Sequence, residues 1–300
     1  MSRVLRVVAP LLLVAGVAAA ETPSRFFVAG DGRLALVGTL GGGTVRVAYR
    51  RPDGGYDPAA LAQVARALRS KDGATGPVEP RLVELLARVQ AMTGGAPLTV
   101  VSGYRSPTYN AGLKSSGHRV ASASLHTEGL AADVALPRAV LAPTWHRLRD
   151  LDCCGTGLYA SQGFLHVDVG PARFWEAATS RVDENLSAGN ARLFGRTDFD
   201  RYAAGDAIVV ALHFLTTPPV RVARRARLVP ESAGDPTDLR VADADGGDGG
   251  GDGCIEADAA TRLRLTGAPP VGRARLVLST CTPRAERTPA EVPVNVVEVR

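Results

Sequence analysis

The chain has 300 residues, of which 45% are hydrophobic and 22% are charged. This composition excludes an intrinsically disordered chain, and the length is typical of about two domains. The formal net charge is only +5, and no stripe of basic residues coincides with aromatic residues or a known motif. Nucleic acid is therefore not expected as a partner.

The first twenty residues have the pattern of a secretory signal peptide. Arg3 and Arg6 precede a mostly apolar run from Val7 to Ala20, which ends in three alanines. A basic start, an apolar stretch and small residues before a cleavage site are the parts of such a signal. The run is shorter than a membrane span. We expect cleavage near Ala20 and an exported protein of the periplasm, cell envelope or medium, without a stable membrane span.

The pattern from 25 to 180 mixes strands with helices and predicts an α+β domain. A helix begins after Asp57, which can cap it, with Pro58 in its first turn, and a second begins at Pro80. A third short helix is predicted at 109–113 and a fourth at 141–151. Strands are predicted at 26–28, 34–37, 45–49, 98–101, 130–136, 155–160 and 164–169.

The pattern changes after a predicted linker at 181–197. Short strands separated by turn residues are predicted at 208–212, 220–223, 263–265, 274–278 and 294–297. This spacing is typical of a small antiparallel sandwich, which we expect at 198–300. The aspartate- and glycine-rich run at 243–253 is interpreted as a flexible hairpin tip.

Four cysteines are present, and an oxidising compartment would allow them to form disulfides. Cys254 and Cys281 flank predicted neighbouring strands and are the expected pair. Cys153 and Cys154 are adjacent, and relaxed disulfide geometry disfavours a bond between neighbours. We expect them to be free, or one of them to pair elsewhere.

Candidate metal ligands lie on two of the predicted strands. His126 and Asp133 are separated by small residues, and His166 and Asp168 share one face of a later strand. A hydrolytic zinc site keeps three protein ligands and one open position. If the two strands are neighbours, these side chains converge. Spacing alone leaves open a capped turn with ordinary surface histidines.

Several motifs resemble one peptidase family. Ser124, His126, Gly129, Ala131 and Asp133 match the Ser-x-His-x-x-Gly-x-Ala-x-Asp signature of the zinc D-alanyl-D-alanine peptidases. These are grouped with the lysostaphin-type peptidases and the hedgehog domain. Ser102–Pro107 and Asn110 resemble the arginine segment of this family. Three further segments resemble the MepK-like branch of murein endopeptidases, namely Gly155–Tyr159, Phe164–Gly170 and Arg173–Trp175. The resemblance covers about Phe27 to Trp175 and does not reach the C-terminal strands.

The resemblance implies a hedgehog/D-Ala-D-Ala-peptidase-like zinc domain with a central antiparallel sheet. It implies a hydrolase that acts on peptidoglycan stem peptides or cross-links. His126, Asp133 and His166 would be the Zn²⁺ ligands. Arg105 would hold the scissile carbonyl oxygen or a substrate carboxylate.

The resemblance does not identify the catalytic base. Some relatives place a catalytic glutamate three residues before the third ligand, where this chain has Gly163. Asp168 is therefore the candidate base, and its competing role is to orient His166 or Arg105. Glu128 is expected to be a solvated side chain, and His213 and the Trp145-His146 pair, placed at a helix start, are expected to be structural.

Three functions remain open at this point. The first is a murein endopeptidase, and the second is a D-alanyl-D-alanine carboxypeptidase. The third is a cell-wall binding module that retains the zinc fold without turnover. The C-terminal domain could bind glycan or protein partners, or act as a spacer.

Overall fold

A computed structural model describes residues 23–41, 43–116, 123–181, 184–246, 253–281 and 287–300. The predicted signal peptide at 1–20 lies outside these residues. None of the helices in the described ranges has the length and apolar character that crossing a membrane requires.

The first half of the described chain is a mixed α/β unit around one seven-stranded sheet. The strand order is β2-β1-β3-β4-β6-β5-β7, and the pairs are antiparallel except β1 with β3 and β5 with β7. The strands are β1 Arg33–Val37, β2 Thr44–Ala48, β3 Leu98–Ser102, β4 Ala131–Ala135, β5 Gly155–Tyr159, β6 Phe164–Asp168 and β7 Arg173–Glu176. The helices in the described ranges are α1 Pro58–Ala67, α2 Pro80–Met92, α3 Pro107–Ser115 and α4 Arg138–Asp150.

Local sequence signals set the helix starts. The Asp57 side chain accepts hydrogen bonds from the backbone N–H groups of Ala59 and Ala60, as its predicted role as cap requires. Helix α4 begins at Arg138, three residues before the predicted start. Trp145 therefore lies in the middle of this helix, where its indole N–H donates to the carbonyl of Thr156 at 3.2 Å. The prediction of Trp145-His146 at a helix start was wrong.

The predicted strand at 26–28 is absent from the structure. The N–H of Phe26 donates to the Ser24 hydroxyl, and the N–H of Phe27 donates to the Asp200 carboxylate. These donors are therefore not available to a neighbouring strand. The ring of Phe26 is buried against Tyr56 and Phe199. The apolar residues serve packing between the two halves of the chain rather than pairing in a sheet.

A buried carboxylate connects the N-terminal segment to α2. Glu84 has no exposed surface, and it accepts hydrogen bonds from the hydroxyls of Tyr49 and Tyr56, each at 2.7 Å. Arg50 pairs with the same carboxylate at 3.1 Å. Burial, followed by the charge of Glu84, raises the pKa of both tyrosines. The tyrosines therefore remain neutral donors to Glu84.

The second half of the described chain is a nine-stranded sheet. The strand order is β8-β10-β14-β12-β11-β15-β16-β9, and β13 also pairs with β11. The strands are β8 Phe194–Thr197, β9 Arg201–Tyr202, β10 Ile208–His213, β11 Val220–Pro230, β12 Thr237–Asp243, β13 Cys254–Ala257, β14 Arg262–Thr266, β15 Gly272–Thr280 and β16 Glu291–Val299.

This second sheet differs from the predicted sandwich in its connectivity. Its strands form one hydrogen-bonded sheet with irregular register within β11 and β15, which allows it to bend. The bend brings β8 against β16, where Asn295 donates to the hydroxyl of Thr197 at 2.7 Å. Strand β8 lies within the predicted linker. Gly195 and Arg196 interrupt the apolar periodicity of this strand, so the sequence pattern does not indicate it. A glycine fits at position 195 because a Cβ there would lie only 2.9 Å from the side chains of Val210 and Val294.

The two sheets are in direct contact. Arg81 on α2 pairs with Asp200 and also donates to the carbonyl of Thr197 at 2.9 Å. Arg196 on β8 donates to the carbonyl of Val169 at 2.6 Å, directly after β6. The C-terminal sheet is therefore held against the side of the first unit that carries the candidate site.

The cysteines form two bonds. Cys254 and Cys281 are joined with an S–S distance of 1.97 Å, which confirms their predicted pairing. Cys153 and Cys154 are joined to each other. The expectation that these neighbours would not bond to each other was wrong.

We predict that Glu84→Ala lowers the free energy of unfolding by about 3–5 kcal/mol, because the buried guanidinium of Arg50 loses its carboxylate partner. Urea unfolding of the full chain measures the change. Glu79→Ala is the matched control, since Glu79 precedes the same helix and makes no side-chain capping bond. An equal loss of unfolding free energy in both variants would contradict a specific stabilising role for the buried Glu84 carboxylate.

Candidate metal centre

The register of β4 and β6 places two candidate ligands side by side. Asp133 on β4 is directly opposite His166 on β6, and the next pair on the same face is Ala131 with Asp168. Directly opposed residues of antiparallel strands have side chains in contact. The pairing of these two strands therefore places two of the three candidate ligands next to each other.

A short 3-10 turn, Leu125–Glu128, positions the third candidate ligand, His126. The Ser124 side chain accepts from the N–H of His126 at the start of the turn. Gly129 ends the turn with a φ of 71°, and a Cβ there would lie 2.2 Å from the carbonyl oxygen of Pro77. Only glycine fits both the conformation and the space. This explains the glycine three residues after His126.

Three electron-rich atoms converge at one point. His126 Nε2 lies 3.2 Å from His166 Nδ1, and Asp133 Oδ1 lies 2.8 Å from His166 Nδ1 and 3.4 Å from His126 Nε2. In the part of the chain that the structure describes, these three residues form a group that could hold a metal ion. His126 and Asp133 are buried, and His166 keeps a small exposed side.

The outer hydrogen bonds fix which ring atoms face this point. His126 Nδ1–H donates to the carbonyl of Gly103 at 2.7 Å, and His166 Nε2–H donates to Asp168 at 2.9 Å. The remaining nitrogen of each ring therefore directs its lone pair toward Asp133. Lone pairs this close repel each other unless a proton or a cation lies between them. The donor set of two imidazoles and one carboxylate fits a divalent metal such as zinc.

The pKa shifts of the three groups reflect their burial and the charges around them. Burial and the nearby charge of Arg105 lower the pKa of His126. Burial also acts to lower the pKa of His166, but its hydrogen bonds to Asp133 and Asp168 outweigh burial and raise it. The pKa of Asp133 lies far below its usual range, because its interactions with the two histidines outweigh burial.

Asp168 lies behind His166 rather than beside the ligand atoms. It is fully buried and contacts the far ring nitrogen of His166, while Arg173 donates to it at 2.8 Å and the N–H of Gly170 at 2.8 Å. Burial acts to raise its pKa, but the charge of Arg173 and the bond to His166 hold that pKa at about 2. A Cβ at Gly155 would lie 2.1 Å from the Asp168 carboxylate. This enclosed position favours the orienting role over the role of base.

Arg105 is connected to the three candidate ligands by a hydrogen bond to Asp133. Its Nη2 donates to Asp133 Oδ2 at 2.9 Å, and its Nε donates to the Ser102 hydroxyl at 2.9 Å. Its backbone N–H donates to the carbonyl of His126. Asp133 thus uses one oxygen for the ligand cluster and the other for Arg105. The guanidinium is held next to the cluster with a small exposed fraction.

Trp175, to which the sequence pattern assigns no role, lies beside His166. The two rings are 5.2 Å apart, and the indole N–H donates to the Tyr159 hydroxyl at 3.2 Å. A Cβ at Gly157, opposite His166, would lie 2.5 Å from the indole. The Phe174-Trp175 pair was part of the resemblance, but only the pairing of β5 with β7 shows where the indole lies.

Comparison with known proteins gives the family. The sequence model described as peptidoglycan L,D-endopeptidase MepK matches residues 31–175. The chain is similar to the probable peptidoglycan L,D-endopeptidase MepK of Haemophilus influenzae, with 30% identity over 125 residues, which are 41% of this chain and 67% of the relative. The chain belongs to this family.

The family match has clear limits along the chain. The peptidoglycan L,D-endopeptidase MepK of Escherichia coli (strain K12) is 34% identical over 99 residues, which are 33% of this chain and 54% of that relative. The chain thus spans about half the length of the first curated MepK proteins that it matches. No solved structure matches it significantly. Strands β8–β16 lie outside the residues matched by the family model.

We predict that the full chain binds one zinc ion and that His126→Ala weakens binding by roughly a hundredfold or more, because one of three ligands is lost. Metal content after gel filtration and competition with a chelator measure the change. His146→Ala is the matched control, since His146 is an exposed histidine on α4. Equal zinc binding by the two variants would contradict the ligand assignment.

Proposed function

We propose that this protein is an exported zinc metallopeptidase that hydrolyses amide bonds in peptidoglycan stem peptides or cross-links. The convergence of His126, Asp133 and His166 beside Arg105 carries the proposal. Membership of the MepK family supports it. The name of the relatives, L,D-endopeptidase, favours a murein endopeptidase over a carboxypeptidase.

His126, Asp133 and His166 would hold the zinc ion through the three atoms that face one another. A zinc ion in such a site supplies a Lewis acid for the scissile carbonyl and lowers the pKa of a water molecule toward about 7. The residues around it set the geometry. The carbonyl of Gly103 orients His126, Asp168 orients His166, and Arg105 orients Asp133.

Arg105 and Trp175 would contact the substrate. The guanidinium carries a fixed positive charge next to the ligand cluster, where it can stabilise a developing oxyanion or hold a substrate carboxylate. The indole forms an apolar wall beside His166 on the other side. A peptide carbonyl lying between them would be held by charge on one side and by packing on the other.

Asp168 acts in this proposal as a positioning residue for His166. Its carboxylate is enclosed by Arg173, the N–H of Gly170 and the far nitrogen of the histidine ring. A carboxylate in this position fixes the ring orientation and strengthens the ligand.

The substrate determines the expected location. Peptidoglycan lies outside the cytoplasmic membrane, so the proposed activity requires export, which agrees with the signal-like pattern at 1–20. A place in the periplasm or cell envelope follows from the same substrate. Two disulfides in the described chain are compatible with an oxidising compartment.

We predict that the zinc-loaded protein converts cross-linked muropeptide dimers of purified peptidoglycan into monomers, because the site is built to polarise an amide carbonyl. Separation of the fragments by mass measures the products. Release of D-alanine alone would replace the endopeptidase with a carboxypeptidase. Unchanged peptidoglycan with one zinc ion bound would contradict both activities and leave a binding module.

We predict that Asp168→Asn weakens zinc binding by about 10–100-fold, and that saturating zinc restores most of the turnover, because the orienting bond to His166 is weakened but no reacting group is lost. Zinc titration with turnover as the readout separates the two roles. Asp150→Asn, an exposed change on α4, should leave both quantities unchanged. Lost turnover at full zinc occupancy would restore Asp168 as the base.

A further inference from the structure

A cavity of about 590 Å³ lies between the turn that carries His126 and the second sheet. From the first unit it is lined by Ser124, Thr127 and Glu128. From the second half it is lined by residues that include Leu215, Thr217 and Ala259. Its volume is within the range of small-molecule binding sites. The second half of the chain therefore contributes to a cavity next to the candidate centre.

The wall of this cavity is fixed by a bridge between the two halves. Glu128, at the end of the turn, accepts from His213 Nδ1 at 2.8 Å and from the N–H of Phe214 at 3.2 Å. Phe214 adopts a φ of 60°, which is uncommon for a bulky residue. The expectation that Glu128 is simply solvated was wrong. This bridge holds the turn, and with it His126, against the second sheet.

The lining indicates the chemistry of an occupant. The lining combines the hydroxyl-bearing residues Ser124, Thr127 and Thr217 and the carboxylate residue Glu128 with apolar residues such as Leu215. Among the described residues that line the cavity, none is a lysine or an arginine. The carboxylate of Glu128 on the wall disfavours an anionic ligand. A neutral ligand with hydroxyl groups at its rim and C–H groups on its faces fits both kinds of lining, and a pyranose sugar has this character.

We propose that this cavity binds a sugar of the glycan strand whose stem peptide occupies the candidate metal centre. This proposal rests on the proposed function. An extended peptide spans about 3.3–3.6 Å per residue, so three residues cover roughly 10 Å. A helical turn with its side chains is also about 10 Å across. A path around the turn Leu125–Glu128 is about half its circumference, roughly 16 Å, so four to five extended residues can separate a sugar on one side from an amide bond on the other.

Direct binding of a neutral sugar tests the site without any need for turnover. The full zinc-loaded protein is titrated with chitotetraose, an oligomer of N-acetylglucosamine, and the chemical shifts or heats are measured. Ala259→Trp fills the rim of the cavity and should weaken binding roughly tenfold or more. Ala260→Trp is the matched control, because Ala260 is equally exposed and adjacent but does not line the cavity.

Two results would overturn the sugar site. One is the absence of saturable binding to the unaltered protein up to the solubility limit of the sugar. The other is an equal effect of the two tryptophan variants. Saturable binding that Ala259→Trp alone weakens supports the site.

A second measurement separates this site from the proposed activity. Ala259→Trp should raise KM roughly tenfold for cross-linked muropeptides that carry sugars. It should leave KM unchanged for the same peptides after their sugars have been removed. An equal change for both substrates would overturn the sugar site while leaving the peptidase intact. If neither substrate is hydrolysed, the proposed activity fails, and chitotetraose binding still decides the cavity.

Discussion

The structure depends on the close approach of three electron-rich atoms, His126 Nε2, His166 Nδ1 and Asp133 Oδ1. Their separations of 2.8–3.4 Å are unfavourable without a positive charge between them. Each ligand is held from behind, by the carbonyl of Gly103, by Asp168 or by Arg105. The surroundings thus prevent the three groups from turning away. A site that resists this relaxation is prepared for a cation before the cation binds.

The same constraint explains several small residues near the centre. Gly155 leaves room for the Asp168 carboxylate, Gly157 leaves room for Trp175, and Gly129 allows the turn to approach Pro77. At each of these positions a Cβ would lie within 2.5 Å of another atom. The second sheet adds support from outside, because Glu128 connects the ligand-bearing turn to His213 and Phe214. The C-terminal sheet is therefore part of the framework of the candidate centre.

The sequence was informative where a local signal decides the structure. Asp57 and Pro58 predicted the start of α1, and the spacing of His126 and Asp133 predicted a turn that enters a strand. Family motifs brought His166 and Arg105 to the same site. Non-local register could not be read in this way. The position of Asp168 behind His166 depends on the pairing of β4, β5 and β6.

Other features could not be predicted from the sequence, because side chains outside their own segment determine them. Strand β8 has weak apolar periodicity, since Gly195 makes room for Val294 on a distant strand. The 26–28 segment has the composition of a strand, but Ser24 and Asp200 accept hydrogen bonds from its backbone N–H groups.

X-ray absorption at the zinc edge of the zinc-loaded full chain most directly tests the central claim, which is that His126, Asp133 and His166 hold a zinc ion. Two imidazole nitrogens and oxygen ligands at about 2.0–2.2 Å are expected, whereas sulfur ligands, or a hydrated ion without imidazole, would contradict it.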